Sequence, residues 1–173
     1  MRVLSAAMSV LILTVAVAPE LSRYAAERRL YRATAVLRLF FARPHEIPNS
    51  AHALQWAAST AAEASAGLPG DWRPLNTAGS ALLFARRPEA ALEKYRQALA
   101  LGERPEVDVN VGRVYATLGR AEQAMAALLR AGWISPSLFD GLPPPAKAAL
   151  RSQLDDFERR LRNGTLAAPP PKP

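Results

Sequence analysis

Only two side chains in the sequence titrate near neutrality, His45 and His52. A hydrolytic zinc site on a helix needs His-Glu-x-x-His, so that both imidazoles share one face. Glu46 follows His45, but the next histidine is seven residues on, with Pro48 between them. Cysteine is absent, which removes thiolate nucleophiles, disulfides and Cys-ligated zinc. Asp155, Asp156 and Glu158 could suggest paired carboxylates for acid–base work. They are interleaved with Arg151, Arg159 and Arg162 at helical spacing, the pattern of a solvated face. No glycine-rich phosphate loop occurs. These residues predict a chain that is not an enzyme, with no catalytic residues, no metal and no cofactor. Trp56, Trp72 and Trp133 read as wedges between helices rather than as ligand-stacking platforms.

The elements that would position any site are helices. The chain has 173 residues, 50% hydrophobic and 7% aromatic. It is rich in alanine, the best helix former and small enough for close helix crossings. No segment alternates apolar and polar residues long enough to demand a strand. The class predicted is all-α. Helices are expected at about 20–43, 49–66, 72–85, 88–101, 106–118, 121–131 and 146–162, with Asn49-Ser50 as caps for the second and Gly67 as its stop.

Positive charge is unevenly placed. The net charge is +7, and residues 1–50 alone carry seven Arg against three acids. That excess follows an uncharged run, Val3 to Ala18, which begins after Met1-Arg2 and ends at Pro19-Glu20. The run resembles a secretory signal with a small-x-small end at Ala16-Val17-Ala18, but a proline directly after the cut would obstruct the peptidase. As a helix, sixteen residues span roughly 24 Å, short of the ~30 Å hydrocarbon core. A signal peptide or short uncleaved anchor is therefore expected over residues 1–19. Arg23, Arg28, Arg29 and Arg32 favour a cytoplasm-facing chain. The net −1 of Pro19–Glu27, and the ability of long domains to translocate, favour the periplasmic side, and that is the expectation adopted. Nucleic acid is not the expected partner of this charge, because the excess adjoins the apolar run instead of striping the middle of the chain.

The middle of the chain repeats. Gly79 and Gly112 are 33 residues apart, and so are Arg87 and Arg120, Glu89 and Glu122, Ala91 and Ala124, and Ala98 and Ala131. Ala78-Gly79-x2-Leu82 with Ala91-x3-Tyr95-x2-Ala98, and Val111-Gly112-x2-Tyr115 with Ala124-x3-Leu128-x2-Ala131 and Pro136, resemble the tetratricopeptide repeat. Two departures stand out: the early tryptophan is Leu75 or Asp108, and the first closing proline is Glu103. A degenerate third unit lies upstream at Ala57-x3-Ala61-x2-Ala64.

The resemblance implies a short right-handed α-solenoid. It would hold two clear hairpins and one degenerate hairpin over residues 49–138, after a basic helix and Pro-containing connector at 20–48. Stacked hairpins need a cover on the last apolar face. Leu150, Leu154, Phe157 and Leu161 supply an amphipathic capping helix within 139–164, and the Pro-rich residues 165–173 are expected to be extended or disordered. By the same resemblance the first helix of each hairpin lines a concave groove. Arg73, Asn76, Ser80, Asn110 and Arg113 are then the candidate partner-binding residues, since Arg and Asn can hold carboxylates and peptide amides. The function implied is a protein–protein scaffold of the bacterial envelope, with a protein partner in the groove and the membrane at the N-terminal segment. The alternative is a basic tether to anionic lipid or acidic polymer, with the repeats purely structural.

Overall fold

A computed structural model describes the backbone of all residues except 1, 44, 45, 48, 142, 143, 166 and 167. It describes the side chains of the same residues from 17 onward, apart from 141, 145 and 146. His45, Pro48 and the Leu142-Pro143 junction lie outside the described residues, as do the side chains of the apolar run up to Ala16.

The described residues form helices and no strand. The helices are α1 (Arg2–Ala42), α2 (Ser50–Ala64), α3 (Arg73–Phe84), α4 (Pro88–Ala100), α5 (Pro105–Thr117), α6 (Ala121–Ile134) and α7 (Pro144–Arg162). Short 3₁₀ turns at Ser65–Gly67 and Pro136–Gly141 join some of them. Prolines open α3, α4 and α5 within their first two positions, where the missing N–H has no helical partner to lose. Gly119, at φ 71°, and Gly164, at φ 68°, end α5 and α7 in the left-handed conformation.

Three local expectations change. The helix expected to begin near residue 20 instead begins at Arg2 and runs unbroken through Pro19. An internal proline costs about 3 kcal/mol, but helix formers flank it on both sides and no capping residue is present to stop the chain. Asn49 does not cap α2 with its side chain. It adopts φ 54°, a left-handed conformation asparagine tolerates, and its carbonyl accepts the backbone N–H groups of His52 and Ala53. Gly67 acts through its size: a Cβ there would lie 2.7 Å from that of Ala26 on α1.

Each helix packs on its neighbours in sequence, and α1 also meets α3, as α3 meets α5. The main core threads this row with Leu54, Ala57 and Ala61 of α2, Ala78 and Leu82 of α3, Ala91 and Tyr95 of α4, and Val107, Val111 and Val114 of α5. A second cluster at the far end joins Phe139 to Leu150 and Leu154 of α7, with Trp133 of α6 against it. The stripe foreseen on α7 is thus the one it buries, and Phe157 adds an edge contact to Trp133 at 6.0 Å between ring centres. Trp72 is also packed against the main core, whereas Trp56 stands 41% exposed.

Close crossings depend on glycine. A Cβ on Gly79 would meet the ring of Tyr95 at 2.7 Å, and one on Gly112 would meet Leu128 at 2.9 Å. Tyr95 is fully buried and held at its hydroxyl by Ser80 at 3.0 Å, so the ring has nowhere to go. Gly79→Ala is therefore expected to destabilise the chain by about 1–3 kcal/mol. Alanine's advantage of about 1 kcal/mol in helix propensity would not reverse that. Urea unfolding of the two proteins checks it, and an unchanged or raised midpoint would refute the crossing argument.

Candidate functional site

The face built from α1, α3 and α5 carries both polar and aromatic surface. Its polar strip begins at Arg73 in the first turn of α3. The Arg73 guanidinium donates to Asp71 Oδ2 at 2.9 Å and to Glu27 Oε1 of α1 at 2.8 Å. Partial burial pushes the Asp71 carboxyl up, but the hydrogen bonds and charge of Arg73 outweigh this and hold it below its ordinary value. Arg73 therefore serves as a clasp between α1 and α3. The next residues form a chain. Asn110 of α5 donates from Nδ2 to Asn76 Oδ1 of α3 at 2.9 Å, and Arg113 donates to Asn110 Oδ1 at 3.0 Å. Arg113 is exposed and meets no carboxylate within ion-pair distance among the described residues.

Ser80 turns inward, half-buried, against the Tyr95 hydroxyl. Burial pushes that phenol up to about 12, against the opposing pull of the Ser80 hydrogen bond and the Arg113 charge. Of the five candidate residues, the structure joins Asn76, Asn110 and Arg113 in one hydrogen-bonded line. It commits Arg73 to a helix–helix clasp and Ser80 to supporting Tyr95.

Arg113 also borders an open cleft of about 920 Å³, floored by Phe40, Phe41, Leu54, Leu83 and Phe84. The three phenylalanines come from the C-terminal turns of α1 and α3. Phe84 meets Phe41 edge-on at 4.6 Å and Phe40 at 5.6 Å. Phe41 remains 62% exposed. Arg86, at φ 58° just past α3, and Arg113 supply the cationic groups at this cleft. Sequence reasoning did not reach the phenylalanines. Their one signal in the sequence is the adjacent pair Phe40-Phe41 near the end of a helix.

A second feature lies apart from this face. Asp108, in the first turn of α5, is fully buried, and neither carboxylate oxygen has a hydrogen-bond partner among the described residues. Around it stand Glu103 and Glu106, which oppose its ionisation, and Arg130 and Lys172, which favour it. Arg130 is already engaged. It donates to both oxygens of Glu103, at 2.6 and 2.9 Å, and to the Pro170 carbonyl at 2.9 Å. The last residues are thus not simply free: Pro170 is buried and tied to α6, though no helix forms there. Asp108 occupies the place that Leu75 holds 33 residues earlier, and that departure from the repeat is the sequence signal for it.

His52 is exposed in the first turn of α2. Among the described residues no helix is long and apolar enough to cross a membrane. Comparison with known proteins finds no family model, curated protein or solved structure that matches this chain.

Burial raises the Asp108 carboxyl from 3.8 to about 6. The folded chain thus holds this proton more tightly than the unfolded one. The associated stability is complete below pH 3.8 and is lost as the pH rises through about 6. Between those limits the loss approaches about 3 kcal/mol. Asp108→Asn has no proton to lose, so its stability should fall less than that of the native chain between pH 4 and 8. Parallel urea-unfolding curves for the two proteins across that range would contradict this assignment.

Proposed function

We propose that the chain is a non-catalytic adaptor whose α1–α3–α5 face receives a segment of a partner protein. In this reading the paired helices are stacked hairpins of the tetratricopeptide kind, forming a short right-handed solenoid closed by α7. The contacts of α1 with α3 and of α3 with α5 support that arrangement, because they set the first helices of successive hairpins side by side. The reading places the adaptor at the bacterial inner membrane on the periplasmic side, with the N-terminal apolar run as signal or anchor.

One observation carries the binding proposal. An aromatic cleft and a line of amides meet at a single cation, Arg113, which borders the cleft and donates to Asn110. Water gains nothing from an exposed Phe41, and three phenylalanines gathered at an open cleft have apolar area to bury. A partner segment fitting this site places an apolar side chain among Phe40, Phe41 and Phe84. It sets a carboxylate or backbone carbonyl on Arg113, which offers a forked donor to either. The amide line from Asn110 to Asn76 then meets the rest of that segment through donors and acceptors on α5 and α3.

A photo-crosslinking residue placed at Phe41 or Phe84 tests this in the native cell. Both positions should yield the same defined protein adduct, and one placed at Glu89 of α4 should not. Arg113→Glu should weaken the adduct at least tenfold, while Arg73→Glu should act mainly by lowering stability, because its partners are Glu27 and Asp71. Equal labelling at all three positions, or an adduct indifferent to Arg113, would remove the groove from the function.

A further inference from the structure

Among the described residues, the outer face of α1 packs against no other helix. Ala26, Leu30, Ala33 and Leu37 are its buried positions, and their spacing puts them on one side of the helix. At about 100° per residue the opposite side carries Leu21, Tyr24, Arg28, Tyr31, Arg32 and Leu39. All six are exposed, with Leu21, Tyr24 and Tyr31 above 60%. From Leu21 to Leu39 the stripe is roughly 27 Å long.

Its charges have no internal answer. Arg28, Arg29 and Arg32 form no ion pair among the described residues. The nearest acid in sequence, Glu27, points to the α3 side, where Arg73 takes it at 2.8 Å. The Arg28 guanidinium lies over the Tyr24 ring at 5.9 Å, so cation and aromatic present one surface. Leucine, tyrosine and unpaired arginine alternating along one helix face suit a boundary that is apolar below and anionic above. The same helix continues without a break through Pro19 into the uncharged run from Val3 to Ala18.

We propose that the outer face of α1 beds lengthwise on an anionic phospholipid surface. Leu21, Tyr24, Tyr31 and Leu39 enter the headgroup boundary, while Arg28 and Arg32 hold lipid phosphates. A second copy of the chain fits the stripe poorly. A two-fold pairing would bring the central arginines of each copy together, with Glu20 only at the stripe's end and Glu27 taken by Arg73. A soluble acidic polymer would satisfy the arginines and leave the leucines and tyrosines in water. The stripe shares no residue with the cleft at Phe40, Phe41 and Phe84, and only Tyr31 reaches the recess that Arg73 and Asn76 line.

The chain contains no cysteine, so single labels report cleanly. An environment-sensitive fluorophore is attached to the full chain at Tyr24→Cys or Leu39→Cys, with Glu89→Cys as the remote control. Vesicles of phosphatidylcholine, with and without phosphatidylglycerol, are then added. Emission at Tyr24→Cys and Leu39→Cys should shift to the blue only when phosphatidylglycerol is present, and the control should not respond. At roughly 1 kcal/mol per arginine near an anionic surface, Arg28→Gln with Arg32→Gln should weaken this seating roughly 30-fold. Replacing the same pair by lysine should retain most of it. Both residues are exposed, and circular dichroism verifies that the variants keep their helices. An equal shift in both vesicle types, or none in either, would overturn the proposal. So would a shift that grows with protein concentration without lipid, which means self-association, or the same shift on soluble polyaspartate, which means polymer binding.

Discussion

The arrangement depends on how closely its helices can cross. Gly79 lets the Tyr95 ring lie against the α3 backbone, and Gly112 does the same for Leu128 against α5. Around these contacts Ala57, Ala61, Ala78, Ala91 and Ala98 are all fully buried. Small side chains bring backbones together, so dispersion contacts and excluded water, rather than long interdigitating side chains, hold the row. The dependence has a cost in tolerance. A core with few flexible side chains has little capacity to repack around an added methyl group.

Close crossing also decides what the surface can do. Because α1, α3 and α5 are drawn together, Asn76 and Asn110, 34 residues apart in sequence, come within hydrogen-bond reach. The ends of α1 and α3 bring Phe40, Phe41 and Phe84 to one place. The same closeness recruits polar groups for construction. Arg73 binds Glu27 and Asp71, and Ser80 binds Tyr95, so two groups that look available in the sequence are spent on geometry. Arg113 escapes this because the neighbour it reaches is an amide, which leaves its charge uncompensated.

Asp108 shows the opposite economy. Burying a carboxylate without a hydrogen bond is unfavourable unless the group stays protonated. Here the nearby guanidinium of Arg130 is already satisfied by Glu103 and by the Pro170 carbonyl. The local charge pattern is therefore balanced around Glu103, and Asp108 is left to the dielectric. Leu75, 33 residues earlier in the sequence, packs partly buried against the main core instead.

Helix identity and most boundaries were legible locally: alanine content, the small residues at a 33-residue spacing, prolines at helix starts and the stripe on α7 all act within a few turns. The helix expected from about residue 20 extends back to Arg2 because a proline weakens a helix by one bond without obliging it to stop. Asn49 was misread because asparagine serves equally as a side-chain cap and as a left-handed residue. Asn76, Asn110 and Arg113 stand in one hydrogen-bonded line, while Arg73 and Ser80 are drawn into contacts with other elements. What the tertiary structure alone decided is which polar group is paired, which aromatic is left open, and which carboxylate is buried. Those outcomes depend on distances between residues far apart in sequence, and a pattern read along one helix contains no information about the charge or ring that another helix sets beside it.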